Sequence, residues 1–489
     1  MKYGNFINGE WKLSPNDSTF KSINPADPEE IIGEFALGNK QDVIEAYEAA
    51  EKAFEIWSKT PAPKRGEILL KAAQLMKEKK EELSLLESRE MGKVLVEARG
   101  DVQEAIDITE YMAGEGRRLF GFTTPSELKN KFAMTIRKPV GVVGLITPWN
   151  FPIAIPAWKI MAALICGNTI VFKPSSDTPL CAIELVKILS EAGIPPGVVN
   201  LVTGSGKDVG ETITTHPGIR AISFTGSRNT GEHILKIGGI KKIGLELGGK
   251  NVIIVMEDAD IKLAVDGIIW GAFGTTGQRC TACSRLLVQD TIQKKLESKL
   301  IEKARSLIIG PGYEIGTEMG PLINNNALEK SIRYTSIGQD EGAKIIYGGT
   351  KLESKGFFFQ PTIFNEVSID MRIAQEEIFG PILSVISFEK LNQAIDYANS
   401  VDYGLSSSIY TNDINIAFKA IEEIEAGITY VNSSTIGSEV HLPFGGVKKT
   451  GNGTREGGIE GINEFSETKT VYIDYSGKLQ KAQIDLDNQ

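Results

Sequence analysis

Residues 141–173, GVVGLITPWNFPIAIPAWKIMAALICGNTIVFK, contain two short apolar runs on either side of a stretch with helical periodicity. The alternation continues to residue 255, with each run short enough for a strand and each intervening stretch long enough for a helix. Strands joined by crossover helices form a parallel sheet covered on both faces, which binds ligands at the carboxyl ends of its strands. The predicted strands are Val142–Ile146, Thr169–Phe172, Val198–Val202, Ala221–Phe224 and Asn251–Val255. The predicted helices are Pro156–Ile165, Pro179–Glu191, Lys207–Thr215 and Gly231–Ile237.

A second α/β pattern begins near residue 247, and residues 41–119 upstream are predicted to be helical. Lys131–Lys138 and Thr468–Ile473 alternate polar and β-forming residues, which predicts strands of a small arm outside either core. The predicted fold class is therefore α/β, with two doubly wound parallel-sheet domains and a small β arm. The helices predicted in the second half are Ile261–Ala272, Ile292–Ser306, Asn326–Glu341 and Lys390–Ser400. The strands predicted there are Arg285–Val288, Lys344–Tyr347, Leu383–Phe388, Ser406–Tyr410 and Ile428–Val431.

The composition is that of a globular protein with more than one domain: 489 residues, 41% hydrophobic and 24% charged. Lys and Arg number 53 against 63 Asp and Glu, and the net charge of −10 argues against nucleic-acid binding. Four cysteines are too few for a disulfide scaffold, and three isolated histidines predict no metal site. Since we find neither a signal peptide nor a run of about 18 apolar residues, we expect a cytoplasmic protein without membrane contact.

A candidate nucleophile, Cys280, ends the segment FGTTGQRC at residues 273–280. Its small residues let the backbone approach a ligand closely. A thiolate is the reactive form of cysteine, and a nearby positive charge or backbone N–H groups would favour it. Two alternatives stay open on the residues alone: a buried cysteine that packs as a small hydrophobe, and a redox pair with Cys283.

A candidate general base, Glu246, lies in LELGG at residues 245–249, between two apolar residues and before two glycines. Apolar neighbours exclude water from a carboxylate and raise its pKa, which suits a base that activates water. A glutamate on a surface turn is the alternative. No histidine lies in either motif, so Glu246 is the preferred candidate.

Two further polar residues follow strands of the first predicted sheet. The Asn150 amide, in TPWNFP at residues 147–152, could donate a hydrogen bond to a developing oxyanion, or could simply start a turn before Pro152. Lys173 begins KPSS at residues 173–176, where a lysine can meet a ribose or phosphate. A solvated lysine is the alternative reading.

These motifs together resemble the NAD(P)-dependent aldehyde dehydrogenase superfamily over essentially the whole chain. Glu246 and Cys280 stand 34 residues apart, a spacing typical of the family. The nearest branches are the aminoadipate and 2-oxoglutarate semialdehyde dehydrogenases. The five other motifs, which occur in the family's order, are Thr147–Pro152, Lys173–Ser176, Phe224–Ser227, Glu376–Pro381 and Pro443–Gly446.

The resemblance implies a mechanism in which the Cys280 thiolate attacks the aldehyde carbon. Asn150, with the Cys280 backbone N–H, would hold the oxyanion, and hydride transfer to the nicotinamide would leave a thioester. Glu246 would activate water to hydrolyse that thioester, and its presence favours a free acid product over transfer to coenzyme A. Glu377 would hold the nicotinamide ribose, with Phe379 packed beside it.

The residue at position 176 sets the cofactor expected from the resemblance. In relatives that prefer NAD, a glutamate three residues after the lysine commonly binds both ribose hydroxyls. In this sequence the residue at that position is Ser176. Without that carboxylate, a 2′-phosphate is not repelled and Lys173 can pair with it. The resemblance therefore implies NADP as the preferred cofactor, with NAD also used. The other positions it assigns to the cofactor are Ile146, Thr147, Pro148, Trp149, Ser175, Gly206, Gly226, Ser227, Gly231 and Leu247.

Arg279 directly precedes the nucleophile, where in the semialdehyde branches a basic residue can meet the distal carboxylate of the substrate. The alternative is that Arg279 serves folding or acidifies Cys280. The resemblance also places Trp158 at the substrate entrance and His441 on the loop Ser433–Leu442 around the substrate tail. The expected substrate is a small-molecule aldehyde, possibly a carboxylate-bearing semialdehyde. Broad specificity for small uncharged aldehydes and a catalytically silent binding or structural relative stay open.

The resemblance finally implies the domain organisation. Residues 1–124 and 139–246 would form the cofactor-binding domain, and residues 247–448 the catalytic domain. Residues 125–138 and 463–476 would form an oligomerisation arm, so that we expect a homotetramer or a homodimer.

Overall fold

The N-terminal region of the computed structural model, which describes residues 1–13 and 18–484, contains five short strands. They are β1 (Lys2–Tyr3), β2 (Asn5–Ile7), β3 (Glu10–Lys12), β4 (Thr19–Asn24) and β5 (Asp27–Ala36). The strands β1, β5 and β4 form a small sheet, whereas β2 and β3 join the first large sheet at its edge. The sequence pattern does not predict these strands, because they are short or rich in charged residues.

Four helices follow in the region predicted to be helical. They are α1 (Lys40–Trp57), α2 (Ala62–Glu78), α3 (Lys80–Met91) and α4 (Leu95–Glu115). A capping box between Asn39 and Asp42 begins α1, and the apolar stripe of α1 is buried from Val43 to Trp57. The helix α4 packs against both α2 and α5. Its N-terminal half lines one of the cavities of the candidate site described below.

The first large sheet has the strand order β12-β11-β8-β9-β10-β2-β3. The first five strands in this order, from β12 at the edge to β10, are parallel, and each is fully or almost fully buried, as is typical of a parallel sheet with both faces covered. Those strands are β8 (Val142–Ile146), β9 (Thr169–Lys173), β10 (Val199–Leu201), β11 (Ala221–Thr225) and β12 (Lys242–Glu246). The helices between them are α5 (Ala154–Cys166), α6 (Pro179–Ala192), α7 (Glu211–Thr215) and α8 (Arg228–Ile237).

The helix predicted at Lys207–Thr215 needs a correction. The structure has a π-helical turn over Gly206–Gly210, and only Glu211–Thr215 is α-helical. The Ser205 side chain accepts a hydrogen bond from the backbone N–H of Asp208 and so begins this turn.

The second large sheet has the strand order β15-β16-β17-β14-β13-β19-β20, parallel except for β15 at one edge. The strands of this half of the chain are β13 (Asn251–Val255), β14 (Cys283–Gln289), β15 (Lys344–Tyr347), β16 (Thr362–Asn365), β17 (Ile382–Phe388), β18 (Tyr403–Gly404), β19 (Ser406–Tyr410), β20 (Ile428–Val431) and β21 (Val447–Lys448). The helices are α9 (Ile261–Phe273), α10 (Gln293–Ser306), α11 (Asn325–Asp340), α12 (Arg372–Gln375), α13 (Leu391–Asn399), α14 (Ile414–Glu423) and α15 (Gly458–Glu464). Of these elements, the sequence pattern does not predict β16, β18, β21, α12, α14 or α15.

A three-stranded antiparallel sheet stands apart from both large sheets, and the alternating residue pattern predicts two of its three strands, β7 and β22. It consists of β6 (Thr123–Pro125), β7 (Lys131–Pro139) and β22 (Ser466–Asp474). The strands β7 and β22 pair over nine residues, which fixes their register.

The fold brings the ends of three elements together. Asn150 follows β8, Glu246 ends β12, and Cys280 lies between α9 and β14 of the second sheet. Within the described ranges, no helix is long and apolar enough to cross a membrane.

Candidate active site

Cys280 occupies a half-buried position in a tightly turned loop between α9 and β14. Thr275 and Thr276 adopt positive φ angles of 49° and 59°, which reverse the chain direction before the cysteine. The Asn251 side chain then donates hydrogen bonds to the carbonyls of Cys280 (2.6 Å) and Ala282 (3.0 Å). The loop is therefore held in place by groups of the neighbouring strand β13.

Burial, together with the carboxylates of Glu246 and Glu377, raises the pKa of the Cys280 thiol to about 12, against backbone N–H groups that lower it. In this state the thiol is protonated near neutral pH. A nucleophilic role therefore requires that the thiol lose this proton before it attacks a carbonyl carbon.

Glu246 is buried at the end of β12. Among the described residues, its two carboxylate oxygens have no hydrogen-bond partner. Burial raises the pKa of Glu246 well above its usual range, and the nearby Glu456 adds to this effect against Lys159 and Arg455. Gly445, with φ of 148°, lets the chain pass the carboxylate closely, since a Cβ there would lie 2.5 Å from Oε1. Glu246 is thus desolvated, as its apolar neighbours predict.

Asn150 is buried and its Nδ2 atom donates a hydrogen bond to the carbonyl of Gln278 (3.1 Å). This bond orients the amide beside the cysteine loop. Because an amide nitrogen carries two N–H groups, one remains to meet an oxyanion formed near Cys280.

A cavity of about 240 Å³ lies on one side of Cys280. The Glu377 carboxylate faces this cavity and accepts a hydrogen bond from the Gly249 N–H (2.9 Å). Phe379 meets the ring of Trp149 edge-on at 5.5 Å. The predicted residues that line this cavity are Pro148, Trp149, Asn150, Gly226, Ser227, Leu247, Cys280, Glu377 and Phe379.

Other predicted cofactor residues cluster at the ends of β9 and β10, outside this cavity lining. Lys173 is buried, its Nζ donates to the Pro174 carbonyl (2.9 Å), and desolvation lowers its pKa to about 8. Ser176 Oγ donates to the Gly204 carbonyl (3.0 Å). The remaining predicted positions, none of which lines the cavity, lie after other elements or within them: Ile146 and Thr147 at the end of β8, Ser175 after β9, Gly206 in the π-helical turn and Gly231 in α8.

A second cavity of about 310 Å³ also borders Cys280. The two cavities share Cys280 together with Ile155, Thr225 and Leu247, so the sulfur stands at their junction. The second cavity is lined by the charged residues Glu97, Asp101, Glu104, Glu246, Arg279 and Glu456 and by the aromatic residues Phe151, Trp158, Trp270 and Phe444.

Arg279 is buried in the wall of this second cavity. Its Nη2 atom lies 3.3 Å from Glu97, and its Nε atom donates to Thr275 Oγ1 (2.8 Å). The guanidinium also lies over the rings of Trp270 (4.8 Å) and Phe151 (5.4 Å). Arg279 therefore faces the cavity, and part of its charge is already balanced by Glu97.

The other two predicted substrate residues differ in position. Trp158 lines the second cavity, whereas His441 does not. His441 is exposed, with its ring 3.6 Å from Glu439. The segment Ile436–Ser438 lines the cavity in place of His441, because the chain turns outward after it.

Sequence reasoning missed the acidic face of α4, formed by Glu97, Asp101 and Glu104. Their spacing of four and three residues, which sets them on one helix face, was the available signal. It also missed the ion pair between Lys159 and Glu456, which lies beside Glu246. No local motif marks that pair, since its members are far apart in the chain.

The model of the aldehyde dehydrogenase family matches residues 11–471 of this chain. The chain belongs to the aldehyde dehydrogenase family. This aldehyde dehydrogenase is 42% identical over 477 residues to the alpha-ketoglutaric semialdehyde dehydrogenase of Bacillus subtilis, covering 96% of this chain and 98% of the relative. It is 43% identical over 477 residues to the 2,5-dioxopentanoate dehydrogenase of Saccharolobus solfataricus, covering 96% and 99%.

Solved structures give the same result for the fold of this aldehyde dehydrogenase. The betaine aldehyde dehydrogenase of Staphylococcus aureus in complex with NAD+ matches with a TM-score of 0.95 at 37% identity, covering 97% of this chain and 96% of that chain. An NAD-dependent aldehyde dehydrogenase of Sinorhizobium meliloti matches with a TM-score of 0.96 at 36% identity, covering 98% and 96%. The predicted fold class and the predicted enzyme class are both confirmed.

Proposed function

We propose that this enzyme oxidises a small aldehyde that carries a distal carboxylate to the corresponding acid, with NADP+ as its preferred electron acceptor. The observation that carries this proposal is Arg279, a buried cation directly before Cys280. It lies in the wall of the cavity of about 310 Å³, which we call the substrate-side cavity. The similar relatives named for alpha-ketoglutaric semialdehyde and 2,5-dioxopentanoate support it.

The chemistry proposed for the chain begins with Cys280. Its thiolate attacks the aldehyde carbon, forming a C–S bond while the carbonyl oxygen becomes an oxyanion. The Asn150 amide and the Cys280 backbone N–H hold this oxyanion, because both residues line the cavity of about 240 Å³ and Asn150 is bonded to the loop that carries Cys280. After oxidation, the acyl group is bound to Cys280 as a thioester.

Glu246 carries out the second half of the proposed reaction. It takes a proton from water as the water oxygen adds to the thioester carbon, and the C–S bond then breaks to release the acid and the thiolate. The burial that raises the pKa of Glu246 makes it a stronger base than a solvated glutamate.

The cavity of about 240 Å³, which we call the cofactor-side cavity, fits the nicotinamide half of NAD(P)+, which accepts hydride when bound. Glu377 presents a half-buried carboxylate for the ribose hydroxyls, and the Trp149–Phe379 pair provides an apolar wall. Ser227 accepts a hydrogen bond from the Thr230 N–H at the start of α8, where helix N–H groups suit a pyrophosphate.

The preference for NADP+ rests on the residues at the ends of β9 and β10. Ser176 supplies a hydroxyl where a carboxylate would repel a 2′-phosphate. Within the part of the chain that the structure describes, the Lys173 ammonium donates to a single carbonyl, which leaves further N–H groups for the phosphate.

A cationic aldehyde is the second candidate substrate. The α4 residues Glu97, Asp101 and Glu104 face the cavity together with four aromatic rings, a combination that attracts a cation. Glu97 is paired with Arg279 and Asp101 with Lys93, however. Among the described residues, Glu104 is the one of these three without a cationic partner within hydrogen-bond distance, so the anionic aldehyde is the favoured substrate.

We also propose a cofactor-binding domain over residues 1–124 and 139–246, a catalytic domain over residues 247–448, and a cytoplasmic location. The arm at residues 125–138 and 463–476 would join subunits into a homotetramer or homodimer. Its exposed apolar side chains support this role, and they are Phe132, Tyr472, Ile473 and Tyr475.

The experiment that tests the proposed function crosses NAD+ and NADP+ with succinate semialdehyde, 2-oxoglutarate semialdehyde, betaine aldehyde and propanal. Formation of reduced cofactor should be fastest with NADP+ and the carboxylate-bearing aldehydes, and should vanish in Cys280→Ala. Higher kcat/KM with betaine aldehyde would favour the second candidate, and higher kcat/KM with propanal would assign Arg279 a role in folding.

A further inference from the structure

Glu97, in the first turn of α4, binds the loop that precedes Cys280 with both of its carboxylate oxygens, and its side chain is buried. The backbone N–H of Thr275 donates hydrogen bonds to Oε1 (3.0 Å) and Oε2 (2.9 Å), and the Thr275 hydroxyl donates to Oε2 (2.9 Å). The Arg279 Nη2 atom lies 3.3 Å from Oε1. Glu97 is therefore both the anionic partner of Arg279 and an anchor of the loop.

Thr275 connects these two charged side chains. Its Oγ1 atom accepts a hydrogen bond from Arg279 Nε (2.8 Å) and donates one to Glu97, which closes a ring of three side chains. Thr275 has a φ of 49°, which non-glycine residues rarely adopt, and its bonds to Glu97 hold it there. Among the described residues, no atom accepts a hydrogen bond from Arg279 Nη1. The guanidinium is thus fixed on one side and retains N–H groups for a ligand in the substrate-side cavity.

The substrate-side cavity has no surplus of positive charge. Among the described residues that line it, Arg279 is the one cation, and Glu97 lies close enough to balance it. Two other carboxylates of the lining, Asp101 and Glu456, pair with lysines that lie outside the lining. A carboxylate of a ligand therefore has to share the Arg279 guanidinium with Glu97.

The proposed reaction adds a negative charge to its ligand. The substrate carries one distal carboxylate, whereas the product carries this group and the new carboxylate that forms at Cys280. Substrate and product meet Arg279 through the same distal group, so a cation without a counterion would bind both more tightly. Such uniform binding lowers KM without raising kcat, and tight binding of the product delays its release. A carboxylate that weakens the attraction of Arg279 for the distal group therefore favours turnover.

We propose that Glu97 limits the affinity of Arg279 for the distal carboxylate and so speeds the release of the dicarboxylate product. The ligand carboxylate and Glu97 compete for one guanidinium, and Thr275 keeps that guanidinium within reach of both. Glu97 acts through Arg279 and Thr275, which makes it a positioning residue. This inference rests on the proposed function, because it requires an aldehyde with a distal carboxylate.

The test uses Glu97→Gln, which removes the charge and keeps an oxygen that can accept the Thr275 N–H. Product inhibition by succinate is measured with succinate semialdehyde as the substrate. We expect the inhibition constant of succinate and the KM for succinate semialdehyde each to fall about tenfold, because a nearby like charge weakens anion binding by at least this factor. The kcat should fall as well, since succinate leaves more slowly. Damage to the loop alone would weaken binding and raise both constants.

Glu115→Gln is the matched control. Glu115 is another buried glutamate of α4, it pairs with Arg118 (2.7 Å), and it lines neither cavity. This variant should keep the wild-type inhibition constant for succinate. Propanoate, which has no distal carboxylate, is the control ligand. Its inhibition constant in Glu97→Gln should stay within about twofold of the wild-type value, because it makes no contact with Arg279 that Glu97 could weaken.

Glu97→Asp keeps the charge on a shorter side chain, and it keeps the test decisive if Glu97→Gln does not fold. Because its carboxylate lies farther from Arg279, the inhibition constant of succinate should fall roughly threefold. A folded variant that binds succinate no more tightly than the wild type, or that gains equally for propanoate, would overturn the inference. A wild-type enzyme that shows no preference for carboxylate-bearing aldehydes would instead contradict the proposed function.

Discussion

Replacement of Arg279 by methionine tests the proposed recognition of a distal carboxylate. Among the described residues that line the substrate-side cavity, Arg279 is the one with a cationic side chain. A hydrogen bond to a charged group contributes about 1.5–3 kcal/mol. Its loss should lower kcat/KM for a carboxylate-bearing aldehyde roughly 10- to 150-fold, at about 1.4 kcal/mol per factor of ten.

The structure also predicts that the Arg279→Met variant folds. Glu97 loses the ion pair at 3.3 Å but keeps hydrogen bonds from the backbone N–H and the hydroxyl of Thr275, both at 2.9 Å. Thermal unfolding should verify the fold of the variant before kinetics are compared. Arg279→Lys retains the charge but lacks the planar arrangement of N–H groups. Its kcat/KM for the carboxylate-bearing aldehyde should lie between the values of Arg279→Met and the wild type.

The assay compares initial rates with succinate semialdehyde and with propanal, which lacks the carboxylate. For propanal, kcat/KM of Arg279→Met should stay within roughly threefold of the wild type, because no transition-state contact to that substrate is lost. Equal losses with both aldehydes would refute the reasoning and assign Arg279 to the support of the Cys280 loop.

Three further predictions concern the cofactor, the pH dependence and the stability. Ser176→Glu should shift the ratio of kcat/KM for NADP+ to kcat/KM for NAD+ roughly 10- to 100-fold in favour of NAD+. This factor corresponds to the free energy of one hydrogen bond to a charged group. An unchanged ratio in steady-state assays would contradict this prediction. Burial and the nearby Asp101 raise the pKa of Glu104 to about 8, so Glu104 is mostly protonated at pH 7 and ionises above pH 8. The KM for an anionic aldehyde should therefore rise between pH 7 and 9 in the wild type, and a rise of the same size in Glu104→Gln would argue against this cause. Lys93→Met should lower the free energy of unfolding by roughly 3–5 kcal/mol, because it leaves Glu87 and Asp101 buried without their ammonium partner; denaturant unfolding measures this, and a change below about 1 kcal/mol would contradict it.

The buried strands were predictable because they combine continuous apolar residues with clear breaks. Val142–Ile146 and Asn251–Val255 have the predicted bounds. The helix predicted at Gly231–Ile237 begins three residues earlier, since Ser227 caps it and polar residues fill its first turn. The N-terminal strands could not be found in this way, because long-range pairing rather than local pattern places them in their sheets.

The local motifs around Cys280, Glu246 and Asn150 pointed to one site, and Asn150 follows the predicted strand Val142–Ile146. The strand Lys242–Glu246, which Glu246 ends, was not predicted, because it has no continuous apolar run. The acidic residues of α4 escaped prediction, since only the packing of that helix against the cavity distinguishes them from solvent-facing charges. The position of His441 depends likewise on where a loop turns, which no local pattern fixes. Long-range packing therefore decided the substrate side of the site, where sequence reasoning was weakest.

The central claim is that Cys280 carries the acyl group as a thioester between oxidation and hydrolysis. Glu246 then activates the water that hydrolyses this thioester. The most direct measurement is mass spectrometry of Glu246→Gln after an acid quench, with NADP+ and the aldehyde in excess over the enzyme. The account predicts about one equivalent of NADPH per active site, a mass increase equal to the acyl group on the peptide that contains Cys280, and acid release slowed roughly 10²- to 10⁴-fold. NADPH formation without a covalent adduct, or acid release at the wild-type rate, would contradict it.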